Sequence, residues 1–229
     1  MKALLYKEFK LALHPLCYIF IFLFPFMVLI PSYPIAVGFI YILSCYPIIF
    51  LGANKGQQSN DLLFSTLLPV RKKDIVLARI ILISLLHLAF SLMTSALVPL
   101  AMQIQKGITT SGGEAISEAG LSLNGFVSIL AIVYVGYAIA DLIFFPIYYK
   151  KGKSIVMSTL LTILGFIVYL ATFTIAIPYI PGCGGYTHLL CESGIGIQFA
   201  FLGGALVIYV LLHMLVYRLS SKRLEKVDF

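Results

Sequence analysis

Six long runs of apolar residues dominate the sequence and limit what the chain can fold into. Each has roughly the 20 residues that an α-helix needs to cross a hydrocarbon core of about 30 Å. They occupy residues 14–31, 33–53, 80–103, 124–149, 154–178 and 195–217. Charged residues are only 11% of the chain, too few for a water-covered surface. The sequence therefore predicts an all-α membrane protein with six transmembrane helices in a single domain, residues 1–229.

The basic residues predict how these spans are oriented. With the N-terminus inside, 15 of the 16 Lys and Arg residues fall in inner segments, and Lys106 alone falls outside. This asymmetry follows the positive-inside rule and supports an even number of spans. Both termini are therefore expected in the cytoplasm. The net charge of +7 does not indicate a nucleic-acid partner, because the basic residues lie at the ends of apolar runs and form no stripe with aromatic residues.

Residues 1–13 precede the first span and have an amphipathic pattern. Leu4, Leu5 and Phe9 fall on one helical arc, whereas Lys7 and Lys10 fall on the other. A short interfacial helix lying on the anionic inner leaflet fits this pattern. The alternative is a first span that starts early and carries a basic anchor.

The inner segment 54–79 is much longer than a connection between two neighbouring spans needs to be. It has 26 residues, whereas the other inner connection, 150–153, has four. Asp61 can cap a short helix that Pro69 ends. The apolar surface of that helix would consist of Leu62, Leu63, Phe64, Leu67 and Leu68. The helix can either lie flat on the lipid surface or serve as a docking element for a soluble partner.

A basic cluster follows the short helix and leads into the third span. Arg71, Lys72 and Lys73 come directly after Pro69 and Val70, and Asp74 can cap the next helix. The whole run reads DLLFSTLLPVRKKDIVLAR.

This run resembles the segment between the second and third spans of a bacterial ABC transporter permease family, the small six-span exporter subunits with the type V fold. The opening MKALLYKEF is also similar to the start of that family. Two departures are an extra Leu before Pro69 and Lys72 in place of the usual order of a small hydroxyl residue and Arg. Within the family, the chain is most similar to permeases of peptide exporters, such as those for phenol-soluble modulins, and to bacteriocin-immunity permeases.

The resemblance implies a role for each inner segment. Residues 61–79 would form a coupling helix and its stalk, seated on a separate ABC ATP-binding subunit, and residues 1–13 would form an elbow helix. The coupling residues would be Asp61, Leu62, Leu63, Phe64, Leu67, Leu68, Pro69, Arg71, Asp74 and Arg79. The working unit would contain two ATPases and a second permease, identical or related, in the bacterial cell membrane.

The resemblance also implies export of amphipathic or hydrophobic cargo, with small peptides as the first expectation. ATP and Mg would be bound by the partner, because this chain has no G-x-x-x-x-G-K-[ST] phosphate-binding loop. The alternative is a secondary transporter, or a substrate-capturing membrane subunit, without a dedicated ATPase.

The sequence contains no recognisable enzyme or metal motif. Neither H-E-x-x-H nor G-x-S-x-G occurs. The four His residues are not at metal-ligand spacing, so we expect no metal and no cofactor bound by this chain. An intramembrane enzyme would need a set of polar residues inside the spans, and no nucleophile motif accompanies those that are present.

Asp141 is the one acidic residue predicted within a span. A carboxylate at that depth costs a few kcal/mol or more unless it is satisfied, so such residues are functional candidates. It can line a polar pathway or bond to a helix that bears His87 or His213. It can also reach water near Tyr149, and a structural or near-interface role is favoured.

Two features concern the predicted outer side and the last span. Cys183 and Cys191 lie in a Gly-rich outer loop and are expected to form a disulfide, the alternative being two free thiols. Gly196, Ala200 and Gly204 form a small-residue stripe that permits close helix packing, either within one subunit or across a dimer. The outer segment 103–123 has little apolar surface and is expected to be a mobile or shallow cap.

Overall fold

The computed structural model describes residues 2–12, 19, 21–29, 70–110, 123–151, 155–172 and 195–226. Every regular element in these residues is helical, in agreement with the predicted all-α class. The α-helices are α1 (Lys2–Lys7), α2 (Lys72–Thr110), α3 (Leu123–Lys151), α4 (Ile155–Ala171) and α5 (Ile195–Glu225). A π-helical turn, Glu8–Ala12, continues α1, and a 3₁₀ helix covers Phe24–Leu29.

Three of these helices, α2, α3 and α5, are long and apolar enough to cross a membrane, judged by length and composition, and α4 is a shorter apolar helix. They overlap the predicted spans 80–103, 124–149, 195–217 and 154–178. Of the predicted span 14–31, the structure describes only residues 19 and 21–29. The predicted span 33–53 and most of segment 54–79 lie outside the described residues, so the six-span count, the elbow helix and the coupling helix stay predictions.

Helix α2 begins before the apolar run that marks the third span. Its first residue is Lys72, so the basic cluster is already part of the helix. The Asp74 amide donates to the Arg71 carbonyl oxygen at 2.9 Å, within the first turn. Asp74 therefore lies within the first turn and not at the capping position expected for it. There its carboxylate interacts favourably with the positive end of the helix dipole.

Helix α3 lies at the centre of the described core. It packs most extensively on α5 and next on α4, while α2 packs on α5 and on the 3₁₀ helix. Aromatic rings fill the Lys151 half of α3, where Phe144 stacks on Tyr148 and Phe145 on Tyr149. Pro146 lies among these buried residues and removes one amide donor from the helix.

The contact between α3 and α4 depends on a glycine. A Cβ atom built on Gly136 would lie 2.8 Å from Cε2 of Phe166 and 2.9 Å from Cε1 of Tyr169. The Tyr169 hydroxyl donates to the Ile132 carbonyl oxygen at 3.0 Å, which fixes the ring across this close approach. Any side chain at position 136 would require these two rings, or the helix that carries them, to shift.

Helix α5 buries one narrow face and exposes the rest. The buried residues recur mostly at intervals of three, four or seven: Gln198, Ala205, Tyr209, His213, Val216, Ser220, Ser221 and Leu224. The small-residue stripe lies away from this face, since Gly196, Ala200 and Gly204 are exposed in the chain. A Cβ atom built on Gly196 or Gly204 would meet none of the described atoms within 4 Å. The described helices therefore do not use this stripe to pack within the chain.

Candidate functional site

The predicted coupling residues lie partly inside the described chain. Asp61 and the residues up to Pro69 are outside it, as are Cys183 and Cys191. Arg71 is exposed immediately before α2, and Asp74 is partly buried in the first turn. Arg79 is different, because only 2% of it is exposed.

Arg79 forms a buried ion pair with a residue of the N-terminal segment. Its Nε atom donates to Oε2 of Glu8 at 3.2 Å, and Glu8 is only 1% exposed. Lys7 lies 3.6 Å from the other Glu8 oxygen. Arg79 therefore faces the N-terminal segment and not the protein surface. Sequence reasoning did not assign a role to Glu8, although it is the one acidic residue among the apolar and basic residues of that segment.

Apolar packing accompanies this ion pair. Leu4 of α1 is buried against Ile75 and Ala78 of α2, and Leu5 and Val70 pack around them. The two interactions together fix the N-terminal segment to the first two turns of α2. Burial of three apolar side chains also keeps water away from the neighbouring charges.

The same end of the bundle is connected to α5 and α3. Lys73 of α2 lies 3.2 Å from Glu225 of α5 in a half-exposed ion pair. Arg223 of α5 donates to the carbonyl oxygen of Pro146 in α3 at 2.5 Å. The π-helical turn after α1 and helices α2, α3 and α5 are therefore joined by polar contacts at the end where α2 begins.

A second polar cluster lies deeper in the bundle, around Asp141. The Asp141 side chain is fully buried on α3, and its Oδ2 atom lies 2.8 Å from Nε2 of His213 on α5. Nδ1 of His87, on α2, lies 3.9 Å from the same oxygen. Asp141 is about 15 Å along the helix axis from Lys151, at 1.5 Å per residue. The structure thus places both histidines named in the sequence analysis beside this carboxyl group.

Tyrosine rings enclose the cluster. His87 stacks on Tyr137 with ring centroids 4.1 Å apart, and its Nδ1 atom lies 3.1 Å from the Tyr209 hydroxyl. Tyr134 meets both Tyr137 and Tyr209 edge to face. Sequence reasoning did not single out these tyrosines. The available signal was spacing, because Tyr137 precedes Asp141 by four residues and Tyr209 precedes His213 by four, which places each pair on one helix face.

The cluster brings together a carboxyl group, two imidazoles and phenol hydroxyls. Each of these groups can donate or accept hydrogen bonds, depending on its protonation state or tautomer. Within the described ranges, no group of three His, Cys, Asp or Glu side chains is arranged to hold a metal ion.

A further polar contact joins α3 to α5 toward the other end of the bundle. The Ser128 hydroxyl donates to Oε1 of Gln198, and both side chains are buried. The α3–α5 contact therefore contains polar interactions at three levels: Ser128 with Gln198, Asp141 with His213, and Pro146 with Arg223.

Comparison with known proteins gives one match. The model of a family described as ABC-2 family transporter protein matches residues 3–223. Neither a curated protein nor a solved structure was found to match the chain.

Proposed function

Because the chain belongs to the ABC-2 family of transporter proteins, we propose that it is the permease subunit of an ATP-driven exporter. In this role it is a membrane transport component and not an enzyme. It would lie in a bacterial cell membrane with six spans and both termini in the cytoplasm. The orientation is supported by the 15 basic residues on the predicted inner side.

The observation that carries this proposal is the attachment of the N-terminal segment to the beginning of α2. The predicted coupling arm, residues 54–79, ends within the first two turns of this helix. A displacement of the arm would act on α2 and, through Arg79 and Glu8, on the π-helical turn that continues α1. The contacts of Lys73 with Glu225 and of Arg223 with Pro146 extend the same connection to α5 and α3. A motor protein bound to the arm would thus act on several helices at once.

The motor would be a separate chain. The sequence lacks a phosphate-binding loop, so ATP and Mg would be bound by an ABC ATP-binding subunit. A second permease copy, identical or related, would complete the pathway. The cargo would be amphipathic or hydrophobic, with small peptides first, because the spans offer few polar groups and the resemblance is to peptide exporters. Export is the direction that the same resemblance favours.

A secondary transporter without a dedicated ATPase is the second candidate. The Asp141 cluster favours it, since ionisable residues inside spans often belong to proton relays. Such a transporter would have no use for the 26-residue arm with its apolar helix. The two candidates therefore differ in whether the arm has a protein partner.

Affinity purification from the native host in mild detergent separates them. We expect a soluble ATPase to copurify in equimolar amount. Exchange of both Leu67 and Leu68 for Asp should abolish copurification and transport, because charged side chains would oppose docking of an apolar helix. The matched control is Leu121→Asp in the predicted outer segment, which should retain the ATPase. An arm that is protease-sensitive and has no ATPase bound would contradict the proposal.

A further inference from the structure

The hydrogen bonds of His213 fix how many protons it shares with Asp141. Nδ1 of His213 lies 2.9 Å from the backbone carbonyl oxygen of Tyr209, and Nε2 lies 2.8 Å from Oδ2 of Asp141. A carbonyl oxygen can only accept, so Nδ1 must carry a hydrogen. The other ring nitrogen then decides the state of the carboxyl group.

Two arrangements satisfy both contacts. If Nε2 also carries a hydrogen, His213 is an imidazolium that donates to an ionised Asp141. If Nε2 is bare, Asp141 must be the donor and is therefore a carboxylic acid. Both arrangements contain one proton more than a neutral imidazole beside a carboxylate. Without that proton, a nitrogen lone pair would face either the carboxylate or the carbonyl oxygen.

We propose that Asp141 and His213 form a proton-binding site between α3 and α5, which holds one proton while these helices are packed together. The proton comes from water and returns to water when the helices separate. Its binding makes the pair neutral overall, which removes the cost of a net negative charge inside a membrane. Helix packing and proton binding are therefore linked, and each favours the other.

The surroundings of the pair fit this role. Among the residues that the structure describes, the titratable groups around the pair are His87 from α2, Tyr134 and Tyr137 from α3, and Tyr209 from α5. His87 needs no proton of its own, because the Tyr209 hydroxyl can donate to its Nδ1 atom at 3.1 Å. Helix α4 contributes Phe166, which stacks on Tyr137 and closes the cluster from the other side.

Ser220 and Ser221 offer polar groups between this site and the basic end of α5. Both residues are buried, and their hydroxyl oxygens have no hydrogen-bond partner among the described residues. Ser220 lies on the same helix face as His213, about 10 Å further along the axis at 1.5 Å per residue. A proton that enters from the predicted cytoplasmic side would pass these hydroxyl groups first.

The test uses the full chain in lipid nanodiscs without any ATPase, so it is independent of the proposed partner. Thermal unfolding is measured between about pH 7 and pH 9, above the pKa of a free imidazole and below that of a free phenol. The folded pair holds a proton that the unfolded chain has already released into alkaline water, so stability should fall as pH rises. For one proton, the folded-to-unfolded ratio changes by at most about tenfold per pH unit.

The decisive variant is Asp141→Asn. Its amide can donate to Nε2 of His213 as a carboxylic acid would, which preserves both hydrogen bonds with no proton to lose. We expect this variant to lose the pH dependence, whereas the control Asp74→Asn, in the first turn of α2, should retain it. Equal pH dependence in the wild type and in Asp141→Asn would overturn the proposal, as would a wild type without any.

A second measurement needs no variant and covers the case in which Asp141→Asn does not fold. The wild-type chain is labelled with ¹⁵N at its four histidines and with ¹³C at its aspartate carboxyl groups. At mildly alkaline pH, nuclear magnetic resonance should detect one doubly protonated ring or one protonated carboxyl group. Finding every ring neutral and every carboxyl group ionised would exclude the site.

Discussion

The Nε atom of Arg79 lies 3.2 Å from Oε2 of Glu8, although 71 residues separate them in the sequence. Both side chains are buried almost completely, and Leu4, Ile75 and Ala78 pack beside them. A buried charge is costly without its partner. The pair therefore connects two segments that are distant in the sequence, and each charge depends on the other segment.

Loss of one member of this pair should destabilise the chain strongly. Glu8→Gln removes the carboxylate that lies 3.2 Å from Nε of Arg79, and breaking a buried pair in this way costs about 3–5 kcal/mol. The double variant Glu8→Leu and Arg79→Met should recover much of that loss. Unfolding midpoints in detergent provide the measurement. The control is Glu225→Gln, which removes a half-exposed pair with Lys73 and should cost no more than about 1 kcal/mol. Equal effects at the two sites would show that the Glu8 pair is not buried as described.

A methyl group at position 136 should weaken the contact between α3 and α4. Gly136→Ala places a Cβ atom 2.8 Å from the Phe166 ring, and overpacking of this kind costs about 1–3 kcal/mol. Gly204→Ala is the matched control, because a Cβ atom there meets none of the described atoms within 4 Å. The control should be neutral or more stable, by about 0.5–1 kcal/mol, since alanine is the better helix former. The two variants are compared by thermal unfolding, and a harmless Gly136→Ala would contradict the close approach.

The Tyr169 hydroxyl should contribute measurably to the same contact. Tyr169→Phe keeps the ring but removes the hydrogen bond to the Ile132 carbonyl oxygen, which is worth about 1 kcal/mol. Tyr6→Phe is a suitable control, because its hydroxyl lies on an exposed side chain and bonds only weakly to Lys10, at 3.4 Å. Identical unfolding midpoints for both variants would rule out a contribution from the Tyr169 bond.

We propose that Cys183 and Cys191 form a disulfide, a pairing that lies outside the described residues. Under denaturing conditions, alkylation without reductant should modify two of the four cysteines, and alkylation after reduction should modify all four. Mass spectrometry distinguishes these results and locates the protected pair. The closed loop would contribute about 2–3 kcal/mol through the unfolded state. Modification of all four cysteines without reductant would mean free thiols.

The long apolar helices were predictable, because a run of apolar residues of membrane length is a local property of the sequence. The start of α2 was predictable to within two residues from Asp74 as a capping residue, but not from hydropathy, which marks only where apolar residues begin; the helix already includes Lys72 and Lys73. The sequence limited the partner of Asp141 to one of two helices, those that bear His87 and His213. Which histidine comes within 2.8 Å depends on how α3 and α5 are rotated about their axes, and that rotation is set by packing along the whole bundle.

Two other relationships had no local signal at all. Glu8 and Arg79 belong to segments with separate periodicities, and nothing near either residue indicates the other. The stripe of Gly196, Ala200 and Gly204 shows that close packing is permitted but not where it occurs. The described helices leave this stripe exposed. The sequence pattern therefore does not distinguish a face that packs on a neighbouring chain from a face that contacts lipid.

Pro146 interrupts the backbone hydrogen bonding of α3 without ending the helix. A proline has no amide hydrogen to offer the Leu142 carbonyl oxygen, so the ladder of hydrogen bonds is interrupted one turn beyond Asp141. Arg223 bonds the carbonyl oxygen of Pro146 itself. Helix α3 therefore lacks one backbone hydrogen bond between its buried carboxyl group and its basic end, and Arg223 of α5 bonds to the helix at that same place.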